Sequence, residues 1–254
     1  MAVETPPTSG NLSRHADVLP APNEKPVYVR EMFDAIAPRY DLLNSVLSVR
    51  LHHRWRRFAA REASLKPGGA ALDVCTGTGD FAFELARHVG PTGFVTGTDF
   101  SLPMLQYGEA KRVRAADRVQ LALADTQCLP FASNTFDAVT VGFGIRNVAD
   151  VERGVREMAR VTRPGGRVVI LEFTQPKQPI LAALYRFYSF RVMPFLGGLV
   201  SGRRSAYEYL PSSVEAFYTR EALADVMNKV GLTDVRVFDL NLGTVAVHRG
   251  IKPL

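Results

Sequence analysis

Residues 72–80 read LDVCTGTGD, and no other stretch of the chain restricts its fold so sharply. A short apolar run ends in a Gly-x-Gly turn at Gly77 and Gly79 and passes directly into a helical pattern. Glycines at such a turn let backbone approach a ligand closely and let strand and helix pack tightly. The same rhythm then repeats. Apolar β-runs over 71–75, 94–98, 119–124, 136–143 and 168–173 alternate with helical spacings over 81–89, 102–115 and 150–161. Pro164-Gly165-Gly166 reads as the stop of the last of these helices. Strands separated by helices of this length specify an α/β chain with a parallel, doubly wound sheet. A helix over 220–230 leads to β-runs at 235–240 and 245–248, whose short Gly-Thr link predicts a closing antiparallel hairpin. Together these make a mostly parallel sheet of seven strands.

Two appendages flank this pattern. Over 27–64, Met32, Ile36 and Tyr40, then Leu43, Val46 and Leu47, recur at helical spacing, with breaks predicted at Pro38 and Asn44. This cap ends in LHHRWRRF (51–58), a basic amphipathic stretch. After the fifth strand, residues 174–218 form an aromatic-rich, lid-like insertion. The first 26 residues are polar and proline-rich, without a secretory apolar stretch, and read as a flexible tail. The expectation is one domain over 27–254, a size that suits a single α/β unit. Cys75 and Cys128 match neither a disulfide framework nor a metal-ligand spacing, so no metal site is expected and a reducing, cytoplasmic setting is. The apolar region 179–200 is interrupted by Arg186 and Arg191, whereas a spanning helix needs about 20 apolar residues. A net charge of +6 suits an anionic neighbour, either nucleic acid or a lipid surface.

Asp99 ends the second strand, where a carboxylate can hold ribose hydroxyls. Turn and acid serve a nicotinamide dinucleotide and S-adenosylmethionine equally well. The flanking charges separate the two. A dinucleotide sets its pyrophosphate on the helix N-terminus, where carboxylates repel it, and here Asp73 and Asp80 bracket the turn. S-adenosylmethionine has no phosphate, and its sulfonium and ammonium groups attract acids. Unit charges roughly 4 Å apart interact by about 4 kcal/mol at a surface-like dielectric, before desolvation. Asp125, after strand three, adds an acceptor for an adenine amine. Asp80 also suits a plain helix N-cap, so the weight falls on Asp73, Asp99 and Asp125, all at strand C-terminal ends.

With these residues in place the sequence resembles a class I methyltransferase, and more narrowly the ubiquinone/menaquinone biosynthesis C-methyltransferases. The resemblance runs from about residue 29 to 253 through MFDAIAPRYDLLNSVLS (32–48), HHRWRR (52–57), LDVCTGTGD (72–80) and TDFSLPML (98–105). It continues through LPFASNTFDAVTVGFGIRNVAD (129–150), REMARVTRPGGRVVILEF (156–173), YEYLPSSVEAF (207–217) and GTVAVHRGIKP (243–253). The glycine turn and the Arg-Pro-Gly-Gly are common to many methyltransferases. The FDAIAPRYD, FGIRN and VAVHRGIKP blocks are much more specific. The resemblance implies S-adenosylmethionine contacts at Thr78, Asp99, Asp125 and Thr126, beside Asp73, Gly77 and Gly79 of the turn. Many members place Ser before the Phe-Gly of the strand-four motif, where this chain has Gly142.

The implied reaction is C-methylation of a reduced, prenylated quinone, demethylmenaquinol to menaquinol. The alternative substrate is a 2-polyprenyl-6-methoxy-1,4-benzoquinol of ubiquinone biosynthesis. A ring carbon beside a hydroxyl becomes nucleophilic once that hydroxyl, with a pKa near 10 by analogy with Tyr, loses its proton. The site therefore needs a cation or donors at the phenolate, or a base. Arg146 and Asn147 follow strand four, where doubly wound sheets bind ligands. Asp34, Tyr40 and Asp41 can cap the pocket, and His248 is the late candidate for a neutral base. Each has a plain alternative: Asp41 as a helix cap, Arg146 paired with Asp150, and His248 as a structural residue.

Between Phe173 and Tyr207 no acid occurs, while Lys177, Arg186, Arg191, Arg203 and Arg204 do, among Tyr185, Phe187, Tyr188, Phe190 and Phe195. Such interleaving suits single-stranded nucleic acid or an anionic bilayer. The bilayer agrees with a prenylated substrate, and the plain alternative is a lid whose rings face the core. Arg50, Arg54, Arg56, Arg57 and Arg61 form a second basic cluster. These features lead us to expect peripheral contact with the inner face of the cell membrane, with a homodimer or a quinone-biosynthesis complex as further partners. RNA base methylation is the competing class. Such enzymes often carry Asn-Pro-Pro-Tyr-like or cysteine-based motifs after strand four, where this chain has Gly-Phe-Gly-Ile-Arg-Asn (142–147), so no nucleic acid is expected.

Overall fold

In a computed structural model of the protein, seven strands join in one sheet: β1 (Ala70–Val74), β2 (Phe94–Asp99), β3 (Val119–Leu123), β4 (Phe136–Gly142), β5 (Thr162–Phe173), β6 (Thr233–Leu240) and β7 (Val245–Ile251). The structure describes residues 19–21, 23–115, 119–192 and 204–254. The strand order is β3-β2-β1-β4-β5-β7-β6. The pairs from β3 through β5 are parallel, and β7 runs antiparallel to both β5 and β6. This is the class I methyltransferase arrangement, and the closing hairpin is the one read from the sequence. Its link is a short 3₁₀ turn, Asn241–Gly243, with Asn241 and Leu242 at φ 49° and 58°.

Every residue of β1 is buried, as a strand covered on both faces requires. Ala70, Leu72 and Val74 pack toward the helices α6 (Val151–Val161) and α9 (Arg220–Lys229), and Ala71 toward α3 (Leu51–Glu62) and α4 (Asp80–Val89). The helix α5 (Leu102–Ala115) follows β2 and packs beside α4. The order reverses at β1, which lies between β2 and β4. Beyond such a switch point, at the carboxyl ends of the strands, a doubly wound sheet leaves an open crevice.

Strand five departs from expectation. Thr162 already pairs with Phe136, so β5 begins before Pro164-Gly165-Gly166, and α6 has ended at Val161. The Thr162 hydroxyl donates to Met158 O at 2.7 Å. Gly165, at φ +76°, donates its N–H to Lys252 O at 2.8 Å. The Pro-Gly-Gly is thus an irregularity within the strand rather than the stop of the helix.

The cap comprises α1 (Lys25–Ile36), a 3₁₀ turn at Ala37–Arg39, α2 (Tyr40–Leu47) and then α3. Pro38 sits in the break as predicted, but Asn44 lies within α2. The second break falls at 48–50, where Val49 and Arg50 adopt φ 49° and 60°. The helix α1 starts inside the segment read as tail: Lys25 Nζ donates to Arg146 O at 2.9 Å and Val148 O at 3.1 Å. Residues 1–18 and 22, the rest of that reading, lie outside the described residues. The insertion forms α7 (Pro179–Phe187), a π-helical turn at Tyr188–Val192, and α8 (Arg204–Glu215). Phe195, Arg203 and the Arg204 side chain lie outside the described residues. Among the described residues no helix is long and apolar enough to cross a membrane.

Candidate active site

At the switch point a cavity of about 280 Å³ opens over the ends of β1, β2 and β4. Gly77, Asp99, Asp125, Thr126 and Asn147 line its polar side, and Phe100, Met104 and Val148 its apolar side. Gly77 is at φ +58°, and a Cβ there would lie 3.3 Å from Met104 Cε, so the turn needs glycine. Asp99 Oδ2 accepts the Gly77 N–H at 2.8 Å, and Oδ1 accepts the Ser101 N–H at 2.9 Å. Burial raises its carboxyl to about 6 despite those bonds. Asp125 is exposed at the rim and accepts the Gln127 N–H at 2.9 Å. Thr126 is buried with its hydroxyl 3.3 Å from the Cys75 sulfur. Arg30, on α1, also lines the cavity. Carboxylates for ribose and amine, a cation for a carboxylate and an apolar wall for adenine fit S-adenosylmethionine. Sequence reasoning missed Arg30, which lies just before the motif blocks.

The acids beside the turn do not face a ligand as their charge alone suggested. Neither Asp73 nor Asp80 lines the cavity. Asp73 is buried and accepts the hydroxyls of Thr76 at 2.6 Å and of Thr140, on β4, at 2.7 Å. Burial raises its carboxyl to about 7, so it ties β1 to β4 rather than presenting charge to a ligand. Asp80 is the first residue of α4, behind an N-cap at Gly79. It pairs with Arg56 at 3.3 Å and Lys111 at 2.7 Å. Burial alone would raise its carboxyl, but these two cations outweigh burial and hold it below the usual range. Thr78 and Gly79 also stay off the cavity wall. The Thr78 hydroxyl donates to Asp41 Oδ1 at 2.6 Å and accepts from Lys111 at 2.8 Å. Asp41 takes the same lysine at 2.6 Å instead of capping a helix, so Lys111 clasps the cap to the sheet domain. Asp34 adds a second tie, accepting the Ser101 hydroxyl at 2.5 Å.

A second cavity, of about 330 Å³, lies between the cap and the insertion. Its walls include Leu43, Leu47, Trp55, Phe173, Tyr185 and Tyr188, with His52, Arg56 and Arg146 as the basic groups. Phe33, Tyr40 and Phe143 line both cavities, so the two meet at a partition of three rings. The Phe143 and Phe173 rings lie 4.5 Å apart, and Trp55 meets Phe143 edge-on at 6.0 Å. Burial raises the Tyr40 phenol, which keeps it protonated at this junction.

Arg146 occupies a 3₁₀ turn, Ile145–Asn147, directly after β4. Its Nη1 donates to Phe143 O at 2.6 Å and to Glu172 Oε1 at 2.8 Å, and its Nε to Ser213 Oγ at 3.3 Å. The guanidinium lies 5.6 Å from the Phe173 ring centre. Glu172, wholly buried near the end of β5, is therefore its counter-ion. Asp150 instead caps α6, accepting the Arg153 N–H at 2.9 Å. Sequence reasoning missed Glu172, although it obeys the rule that selected Asp99: an acid at a strand's carboxyl end. Arg146 lines the second cavity and its neighbour Asn147 the first. Asn147 Oδ1 accepts the Tyr209 hydroxyl at 3.1 Å.

The structure does not bring His248 to this site. It lies in β7 between Ile170 and Val237, fully buried, with Nε2 bonded to Arg220 O at 2.9 Å. Burial lowers its pKa, and it lines neither cavity. At Gly142 a Cβ would lie 3.0 Å from the Phe81 ring, so a serine there needs that ring to shift. Arg56 leaves the basic surface cluster, being buried beside His52.

Residues 21–252 match the ubiE/COQ5 methyltransferase family. The ubiquinone/menaquinone biosynthesis C-methyltransferase UbiE of Geotalea daltonii is 45% identical over 231 residues, covering 90% of this chain and 98% of that one. A demethylmenaquinone methyltransferase of Halalkalibacterium halodurans is 44% identical over 225 residues, covering 88% and 92%. A SAM-dependent methyltransferase of Aquifex aeolicus shares the fold, with a TM-score of 0.58 at 18% identity over 80% of this chain and 92% of that one. The chain therefore belongs to the ubiE/COQ5 methyltransferase family, whose members use S-adenosylmethionine.

Proposed function

We propose that this protein adds a methyl group to a ring carbon of a reduced, prenylated quinone, converting demethylmenaquinol to menaquinol. The observation that carries the reading is the pairing of cavities. An apolar chamber holding a buried cation meets the cofactor cavity across the Phe33, Tyr40 and Phe143 rings. The aromatic area of Trp55, Phe143 and Phe173 favours the larger naphthoquinol ring over a benzoquinol. The relatives' names cover both.

When bound, S-adenosylmethionine supplies a methyl group on a sulfonium. With the cofactor bound, Asp99 and Asp125 would hold its nucleoside half, and the three rings would shield the sulfonium from bulk water. Arg146, held in place by Glu172, stabilises the phenolate or orients a water that takes the hydroxyl proton. Tyr40, at the junction, and Asn147, on the cofactor side of it, position the ring. The ring carbon beside the oxygen would then be the nucleophile for the methyl that the bound cofactor supplies. Loss of the displaced ring hydrogen as a proton restores the aromatic quinol.

The bilayer contact is part of the same proposal. Exposed Ile180, Leu184 and Phe187 stand on α7 beside Lys177, Arg186 and Arg191, while Tyr185 and Tyr188 face the chamber. A prenyl tail held there reaches the surface among apolar side chains, and the basic residues suit anionic headgroups. The test is mass spectrometry of purified protein with S-adenosylmethionine and each reduced quinone analogue. The naphthoquinol is expected to gain one methyl on carbon faster than the benzoquinol, and a protein that methylates neither would end the proposal. Sedimentation with anionic but not neutral liposomes at low salt is the expected membrane result.

A further inference from the structure

The second cavity contains a donor that this mechanism leaves unused. His52, on α3, lines the chamber and is 3% exposed. Arg56, one turn further along, bonds His52 Nδ1 through its Nη1 and also pairs with Asp80 at 3.3 Å. A guanidinium donates and cannot accept. That contact therefore selects the tautomer: Nδ1 is bare and Nε2 carries the proton. Nε2 lies 3.4 Å from Ser45 Oγ, on α2, a long contact that leaves the donor weakly used. Burial, then Arg56 and His53 beside it, lower the imidazole pKa to about 4; Asp80 opposes them and Lys111 adds to them. The ring is neutral throughout the physiological range.

We propose that His52 is a substrate-binding donor, its Nε2–H bonding a ring oxygen of the quinol and favouring phenolate over phenol. The inference rests on the quinol reading above. His52 is not the base, because Arg56 occupies its bare nitrogen, and its own proton stays on the ring throughout. A hydrogen bond to an anionic oxygen is stronger than one to a neutral oxygen, so the donor lowers the pH at which the hydroxyl ionises. A 1,4-quinol has two oxygens, so His52 and Arg146 need not compete for one.

The test compares the parent protein with His52→Leu and His52→Gln. Initial rates are measured with S-adenosylmethionine and a short-prenyl demethylmenaquinol across neutral to alkaline pH. Equilibrium binding of S-adenosylmethionine is measured alongside. His52→Leu is expected to lose about 30-fold in kcat/KM near neutral pH. The loss should shrink to about 3-fold as the pH approaches that of free phenol ionisation, near 10. His52→Gln, which keeps an N–H donor, should remain within about 5-fold of the parent. Cofactor binding should not change. A loss in His52→Leu that is absent or equal at every pH, or an equal loss in His52→Gln, would overturn the proposal. A parent protein that binds S-adenosylmethionine but methylates no quinol would overturn the quinol reading, and the role of His52 with it.

Discussion

The two cavities are built by different means. The first cavity is centred on strand ends and one glycine turn, where Gly77 and Asp99 bond each other across adjacent strands, and α1 covers one side of it through Val27, Arg30 and Phe33. The second cavity, the proposed substrate chamber, is closed over Phe143, Arg146 and Phe173 at the strand ends mainly by side chains of α1, α2, α3, α7 and α8, and the cap is held to the sheet domain by an ion pair and a hydrogen bond. A parallel sheet imposes the first kind of site, so many chemistries can share it. The second kind depends on contacts that single substitutions can remove.

The largest expected effect breaks the second cavity alone. Glu172→Gln leaves Arg146 buried without a counter-ion, and chemical denaturation should show a loss of about 3–5 kcal/mol. The double variant Arg146→Met/Glu172→Gln removes both charges and should recover most of that stability. Its methylation rate should stay at least about 1000-fold below the parent. Recovered activity in the double variant would show that the pair is only structural.

Asp99→Ala breaks the cofactor side. Binding of S-adenosylmethionine should weaken by on the order of 100-fold, with the quinol chamber intact. Burial raises the Asp99 carboxyl to about 6, so below that pH the protonated form loses acceptor strength. Parent affinity should therefore fall as pH drops through about 6, while Asp99→Asn should give weak and nearly flat binding. Flat binding by the parent would contradict this role.

Lys111→Met tests the join between the two regions. Asp41, Thr78 and Asp80 would lose their shared cation. A cost of about 1–2 kcal/mol to cap docking should raise KM for both substrates several-fold and speed hydrogen exchange in α1 and α2. Unchanged exchange would show that the clasp does not hold the cap.

The last expectation is read in the pH dependence of stability alone and concerns Asp73, whose carboxyl is raised to about 7, against about 3.9 for an ordinary aspartate. The folded state prefers the neutral acid, so stability present at low pH is lost as pH rises from about 4 through 7. The melting temperature of Asp73→Asn, relative to the parent, should therefore climb between mildly acidic and mildly alkaline pH. A constant difference would place the titration elsewhere.

The same contrast explains what was legible in the sequence. The strands, the turn and the Gly77–Asp99–Asp125 line follow from local patterns, because a strand's carboxyl end is a property of nearby residues. The partners of Thr78, Asp41 and Asp80 were not legible because Lys111 and Arg56, which engage them, come from α5 and α3. The place of His248 away from both cavities was not legible because it depends on the antiparallel β7 inserting between β5 and β6, where it is buried. Glu172 was available to the strand-end rule but looked like one more residue of an apolar run, ILEF. His52 was hidden inside a run that reads as basic surface, and helical packing turns it inward.

The division of labour between the cavities is tested most directly by equilibrium binding of S-adenosylmethionine to the parent, Asp99→Ala and Arg146→Met/Glu172→Gln proteins. The account predicts that Asp99→Ala loses cofactor affinity by on the order of 100-fold. The double variant should bind within about 3-fold of the parent while failing to methylate. A double variant that loses the cofactor as badly as Asp99→Ala would contradict it.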